Sequence, residues 1–142
     1  MRTIIEKVIF LQNVDVFSHV LTEQLAYVAA IAEEVVWDRD QKIYAEDDPS
    51  DAMYLVLEGR VRLHRGEQTV TEAGPKEAFG TWALFDDEPR VAAATAVERT
   101  EALRVARSDF LDVLADNVRV TEGILKAMVR RLRALGRVVR NP

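Results

Sequence analysis

Residues Phe79 to Ala96 read FGTWALFDDEPRVAAATA, and this stretch carries the densest information in a chain of 142 residues. A glycine turn leads into a short apolar helical turn, an acidic loop and a single arginine, Arg90, before the chain returns to an apolar strand. A phosphate-like anion asks two things of a protein. One is a set of backbone amides converging at the start of a helical turn, which Gly80, Thr81, Trp82 and Ala83 can present. The other is a planar charged donor, which Arg90 supplies once the loop folds back. The small residues Ala92, Ala93 and Ala94 let a ligand approach the backbone closely. By spacing alone a second reading stands beside the first, in which Arg90 pairs with Asp86, Asp87 or Glu88 on a solvated loop.

Outward from this stretch, short runs broken by turn residues cover Val35 to Asp38, Lys42 to Ala45, Met53 to Glu58, Arg60 to Arg65, Gln68 to Glu72, Val91 to Val97 and Glu101 to Ala106, the pattern of a compact all-β roll or barrel. Glu58-Gly59 reads as a two-residue hairpin loop between two alternating runs, and Arg65-Gly66 as the next hairpin. The cluster Asp47-Asp48-Pro49-Ser50-Asp51 reads as a polar turn. Upstream, Ile4, Ile5, Val8 and Ile9 fall at helical spacing, and Thr22 precedes Leu25, Val28, Ala29 and Ala32 on one face, so two short helices open the chain. Downstream, Ser108 is placed to cap a helix that runs to about Ala115. A longer helix over Val118 to Val139 repeats Thr121, Leu125, Met128, Leu132, Leu135 and Val139 at coiled-coil spacing. Arg119, Lys126, Arg130, Arg133, Arg137 and Arg140 then fall on the opposite edge. An exposed Leu/Met stripe is costly in water, so this edge either pairs with a second copy or folds down over the β-roll.

Of the residues, 49% are hydrophobic and 30% charged, which suits one domain over residues 1–142. Its parts are N-terminal helices over 1–34, a roll over 35–107 and C-terminal helices over 108–142. Net charge is −5, and residues 119–142 hold seven basic groups and one acid, a net +6 that leaves −11 on residues 1–118. An acidic body with a basic arm makes nucleic acid an improbable partner for this chain alone. The basic edge is expected to lie solvated and partly against the acidic body. No cysteine is present, which removes disulfides, thiolate zinc sites and thiol nucleophiles. Ser18, Ser50 and Ser108 lack the setting of a nucleophile, and His19 and His64 stand alone, so neither an enzyme nor a metal site is expected. No apolar run approaches a bilayer span, and a cytoplasmic compartment is the expectation, the soluble part of a larger or membrane-bound protein being the alternative.

At Phe79, Gly80, Ala83, Leu84, Pro89, Arg90 and Ala92 the stretch resembles the phosphate-binding cassette of the cyclic-nucleotide-binding domains, F-G-E-[LI]-A-L followed by a short loop and P-R-[TSA]-A. Asp51, Tyr54 and Gly59 match the family's earlier strand pair. The resemblance implies a mainly β fold, an antiparallel β-roll or jelly-roll barrel with N-terminal helices and a long C-terminal helix. It implies a non-catalytic, ligand-sensing role without a cofactor. The ligand site would comprise Phe79, Gly80, Thr81, Trp82, Ala83, Leu84, Arg90, Val91 and Ala92, with Arg90 as ion-pair partner of the phosphate and the amides of Ala83 and Ala92 as donors. Thr81 stands where the family has the glutamate that accepts the ribose 2′-hydroxyl. Val91 stands where a hydroxyl residue is associated with guanine recognition, which favours cAMP. Trp82 is large for its position and either stacks on a base or fills the pocket. Glycine is replaced at Asp47, Ser50 and Lys76, where the family commonly turns. The implied partners are a cyclic nucleotide or other small anion, a second copy through helix 118–139, and other domains of a larger chain. The alternative is a degenerate copy of the fold that binds no nucleotide and serves as an interaction or dimerisation module.

Overall fold

Ala52–Glu58 reads AMYLVLE, apolar at almost every position, and a strand with that composition must be buried on both faces. The computed structural model describes residues 1–140, with side chains to residue 137, and there this strand divides two apolar layers. Met53, Leu55 and Leu57 face one layer together with residues of the helices, while Tyr54 and Val56 face the other, inside the roll. Thr100–Ala106 alternates the same way, with Leu103 and Val105 toward the helices and Ala102 toward the roll. The two-residue period of a strand sorts both sequences into both layers.

In chain order the elements are α1 (Ile4–Leu11), a 3₁₀ turn (Asp15–Phe17), α2 (Thr22–Ile31), β1 (Glu33–Trp37), β2 (Lys42–Tyr44), β3 (Ala52–Glu58), β4 (Val61–Arg65), β5 (Gln68–Ala73), β6 (Ala78–Phe79), a second 3₁₀ turn (Thr81–Leu84), β7 (Ala93–Ala96), β8 (Thr100–Ala106), α3 (Arg107–Asp116) and α4 (Val118–Arg140). Two antiparallel sheets form, ordered β1-β8-β3-β6 and β2-β7-β4-β5. This is the expected β-roll with N-terminal helices and a long C-terminal helix. Trp37, Tyr44, Tyr54 and Phe79 fill the space inside the roll as one aromatic cluster, with Tyr54 stacked on Phe79 at 5.2 Å between ring centroids. No helix among the described residues is long and apolar enough to cross a membrane.

Several expectations require correction. Glu58-Gly59 does not close a hairpin: β3 pairs with β6 and β8 and β4 with β5 and β7, so the chain crosses there from one sheet to the other. Alternation of apolar residues is the same whether consecutive strands pair or change sheets, so the pattern did not distinguish the two. The Arg65-Gly66 turn does join paired strands, with Arg65 opposite Gln68. Ser108 lies inside α3, whose N-cap is Ala106 with no side-chain cap. Two elements were missed, the Asp15–Phe17 turn and β6, both too short to show a period. In α1 the buried residues are Val8 and Leu11, whereas Ile5 and Ile9 are exposed.

On α4 three faces are distinguishable. Val120, Gly123 and Ile124 are buried against the body. Of the expected seam, Met128 is half-buried against the helical core, whereas Leu125, Leu132 and Leu135 are 60%, 68% and 60% exposed, so the seam's leucines do not fold down over the body. The basic edge does not lie against the acidic body either: Lys126, Arg130, Arg133 and Arg137 line an open groove and form no ion pair among the described residues. The side chains of Val139 and Arg140 lie outside the described residues.

Two of the three positions noted for missing glycine adopt the left-handed conformation that glycine tolerates, Asp47 at φ 66° and Lys76 at φ 73°. Ser50 instead is buried and its hydroxyl donates to the Glu88 carbonyl at 2.6 Å. A left-handed non-glycine residue costs about 1–2 kcal/mol. Lys76→Gly is therefore expected to stabilise the fold by about 1 kcal/mol and raise the thermal midpoint by about 3 °C, measured by calorimetric unfolding.

Candidate functional site

Arg90 is only 6% exposed, in a segment of acidic loop and coil. Its backbone is gripped by the acidic turn upstream: the Arg90 amide donates to the Asp48 carbonyl at 2.9 Å and the Asp47 amide to the Arg90 carbonyl at 2.8 Å. The turn is held in shape by Asp48, whose carboxylate accepts from the Ala45 amide at 2.8 Å. The Arg90 guanidinium lies over the Tyr44 ring, 4.1 Å from its centroid, and Nη2 donates to the Ala52 carbonyl at 2.7 Å. Nε has no hydrogen-bond partner among the described residues. Burial raises the Tyr44 pKa despite the opposing charge of Arg90, so the cation rests on a neutral phenol.

No carboxylate pairs with Arg90 among the described residues, which overturns the reading that it neutralises Asp86, Asp87 or Glu88. Asp86 instead accepts from the Glu88 amide. A buried cation without a counter-ion is expensive. What it faces is a cavity of about 410 Å³.

Of the sequence-predicted residues, Phe79, Gly80, Thr81, Trp82, Ala83, Arg90, Val91 and Ala92 line that cavity. Leu84 does not; it is fully buried in the layer shared with the helices. Gly80 adopts φ 69° and starts the 3₁₀ turn. A Cβ at Gly80 would stand 2.5 Å from Nη1 of Arg90, so the missing side chain is space the guanidinium uses. The amide of Ala83 is not a free donor: it is spent within the turn, donating to the Gly80 carbonyl at 3.1 Å. The amides of Thr81, Trp82 and Ala92 make no hydrogen bond among the described residues. Those of Thr81 and Trp82 are therefore the ones available at this turn. Val91 and Ala92 precede β7 rather than belonging to it, and Val91 is 74% exposed at the cavity edge. Trp82 does not fill the cavity; half exposed, it forms part of the wall.

Sequence reasoning missed four residues that shape the site. Tyr44 and Leu63 line it from the second sheet, and Ser50 from the acidic turn. Arg107, the first residue of α3, directs Nη1 at the carbonyls of Ser50 (2.8 Å), Ala83 (3.0 Å) and Asp86 (2.6 Å), tying turn and cassette to the helix that follows. Nothing local marks Arg107, because its partners lie 21 to 57 residues away. The acidic turn offered a local signal for Ser50, but one that pointed only to a turn.

Gly80→Ala is expected to destabilise the protein by about 1–2 kcal/mol in urea unfolding and to displace the Arg90 side chain, seen as a shift of its Nε–H resonance. Arg107→Ala removes a charged donor from two part-buried carbonyls and one exposed one, and should cost about 1.5–3 kcal/mol by the same measurement.

Comparison with known proteins agrees with the fold and with the family resemblance. The family model described as "Cyclic nucleotide-binding domain" matches residues 34–117, more than half of the chain. The chain is 32% identical over 122 residues to the cyclic AMP receptor protein of Thermus thermophilus, covering 82% of this chain and 56% of that protein. It is 28% identical over 128 residues to the CRP-like cAMP-activated global transcriptional regulator of Mycobacterium tuberculosis, covering 87% and 57% respectively. The chain thus spans little more than half the length of these curated relatives. The solved N-terminal domain of a transcriptional regulator from Streptomyces coelicolor A3(2) superposes with a TM-score of 0.85 at 32% identity, covering 92% of this chain and 94% of that one. With the two-sheet roll, the left-handed Gly80 and the buried Arg90 all in place, the chain belongs to the cyclic nucleotide-binding domain family.

Proposed function

We propose that the chain is a non-catalytic regulatory domain that binds a cyclic nucleotide in the cavity around Arg90 and relays its presence through α4. The observation that carries this reading is the Arg90 guanidinium, buried, without a counter-ion and with an unpartnered Nε, at the edge of a cavity of about 410 Å³. A phosphate placed there would give the cation its missing charge partner and could accept from the open amides of Thr81 and Trp82. Thr81, Trp82, Val91 and Ala92 would surround the sugar and base. Val91 offers no hydroxyl to a guanine, so cAMP is the preferred ligand. A ligand shifts α4 only if it binds one helix position better than another.

Two observations favour a second reading, in which the fold serves as a dimerisation module without a nucleotide. Thr81 cannot supply the carboxylate that a ribose hydroxyl would donate to, and losing a hydrogen bond to a charged group weakens binding by roughly ten- to 150-fold. The open seam of Leu125, Leu132 and Leu135 also calls for a second helix whether or not ligand is present. In both readings the seam joins two copies.

Calorimetric titration separates the readings. Binding of cAMP that is tighter than that of cGMP, lost on Arg90→Ala and strengthened at least tenfold by Thr81→Glu, is the expected result. A wild-type chain that gives no heat with millimolar cAMP, together with no gain on Thr81→Glu, would sink the sensor reading and leave the module.

A further inference from the structure

Trp82 is a wall shared by two cavities. One is the cavity at Arg90; the other, about 330 Å³, lies between the Asp15–Phe17 turn, the segment before β6 and α4. In this second space Arg131 of α4 lays its guanidinium over the Trp82 indole, 4.7 Å from the ring centroid. The same guanidinium donates from Nη1 to the Asp15 carboxylate at 3.2 Å. Arg131 occupies a particular place on its helix. Val120, Ile124, Ala127 and Arg131 follow one another at intervals of 4, 3 and 4, the face of α4 that meets the body. The first two are buried and Ala127 is half-buried, but residues 129–137 are all exposed. Among the described residues, Arg131 makes the one hydrogen bond from that outer half back to the body.

We propose that Trp82, Arg131 and Asp15 form a clasp that sets the position of the outer half of α4, and that the clasp is coupled to the Arg90 cavity through the indole they share. The coupling rests on the reading of that cavity as a nucleotide site; the clasp itself does not. A guanidinium over an indole and an exposed ion pair are each modest, reversible interactions, the strength suited to a joint that opens and closes. A base stacked on the cavity side of Trp82 restrains the ring on which Arg131 rests, so occupancy and closure favour each other. Linkage then requires the clasp to strengthen ligand binding by the factor by which ligand strengthens the clasp. Because Leu132 directly follows Arg131 and Leu135 lies one turn further on, closing the clasp also decides where the open apolar seam points.

Hydrogen exchange of the backbone amides of residues 129–137, at matched protein concentration, tests the clasp without any ligand. Arg131→Gln is expected to speed exchange there by about three- to tenfold while β3, β8 and the thermal midpoint stay unchanged. Asp15→Asn should have part of that effect, and Arg131→Lys, which keeps charge but loses the planar stack, an intermediate one. High salt should speed exchange in the wild type more than in Arg131→Gln. Unchanged exchange in Arg131→Gln overturns the clasp. Coupling is read from cAMP titrations, in which Arg131→Gln should weaken binding three- to tenfold; a loosened helix with wild-type affinity overturns the coupling. If the wild-type chain binds no cAMP, the nucleotide reading and the coupling to it fall together, and the exchange result alone decides the clasp.

Discussion

A guanidinium withdrawn almost entirely from water has to be met by groups that tolerate its charge, and much of this molecule is arranged to do so for Arg90. The Ala52 carbonyl accepts one of its hydrogens, the neutral ring of Tyr44 supports its face, and Gly80 leaves room for Nη1. Each of these comes from a different part of the chain: the start of a strand in one sheet, a strand in the other, and the turn that opens the cassette. The backbone of Arg90 is in turn clamped by Asp47 and Asp48. These groups satisfy one hydrogen and one face. The remaining demand, a negative charge, is directed toward the cavity, and this is the physical ground, apart from any resemblance, on which an anion is proposed to bind there.

The support beneath that site is the aromatic interior of the roll. Tyr44 carries the cation on one side and packs toward Tyr54 and Phe79 on the other, with Trp37 closing the cluster. Phe79 is also the residue before Gly80, so the turn that shapes the cavity is anchored directly in the core. β3 and β8 then separate this interior from the layer that packs α1, α2, α3 and the first turns of α4. Arg107, at the junction of β8 and α3, bonds the cassette to the helical side. Cavity and C-terminal helices are therefore mechanically close, because the Thr81–Leu84 turn that walls the cavity also touches α3 and α4.

α4 divides its circumference among three environments: a buried face near its start, an apolar face open to solvent, and a basic face. The packed face runs out after the half-buried Ala127 and Met128, leaving residues 129–137 to be positioned by polar contacts or by another molecule. A helix so placed is a lever with a short fulcrum, because few apolar contacts resist its movement. This is the mechanical property that the proposed relay through α4 requires.

The sequence by itself determined the fold class and the approximate strands, because strand and helix periods repeat within a few residues. It singled out Arg90 only through the family resemblance of one contiguous segment, since spacing alone left a solvated ion pair open. It also marked Asp47 and Lys76 as turns lacking their customary glycine, and their left-handed backbones agree. Only the tertiary structure decided that Glu58-Gly59 crosses between sheets, since alternation does not say which strand lies alongside. Only it decided that Arg90 is buried on Tyr44 and unpaired with the acidic loop beside it, that the Ala83 amide is consumed inside its own turn, and that Leu84 faces away from the cavity. The contributions of Tyr44, Ser50 and Arg107, and the meeting of Trp82 with Arg131 and Asp15, depend on residues 21 to 116 positions apart coming together. Local pattern specifies what each segment can form; which distant segments share one desolvated space is settled by how the two sheets and the helices pack.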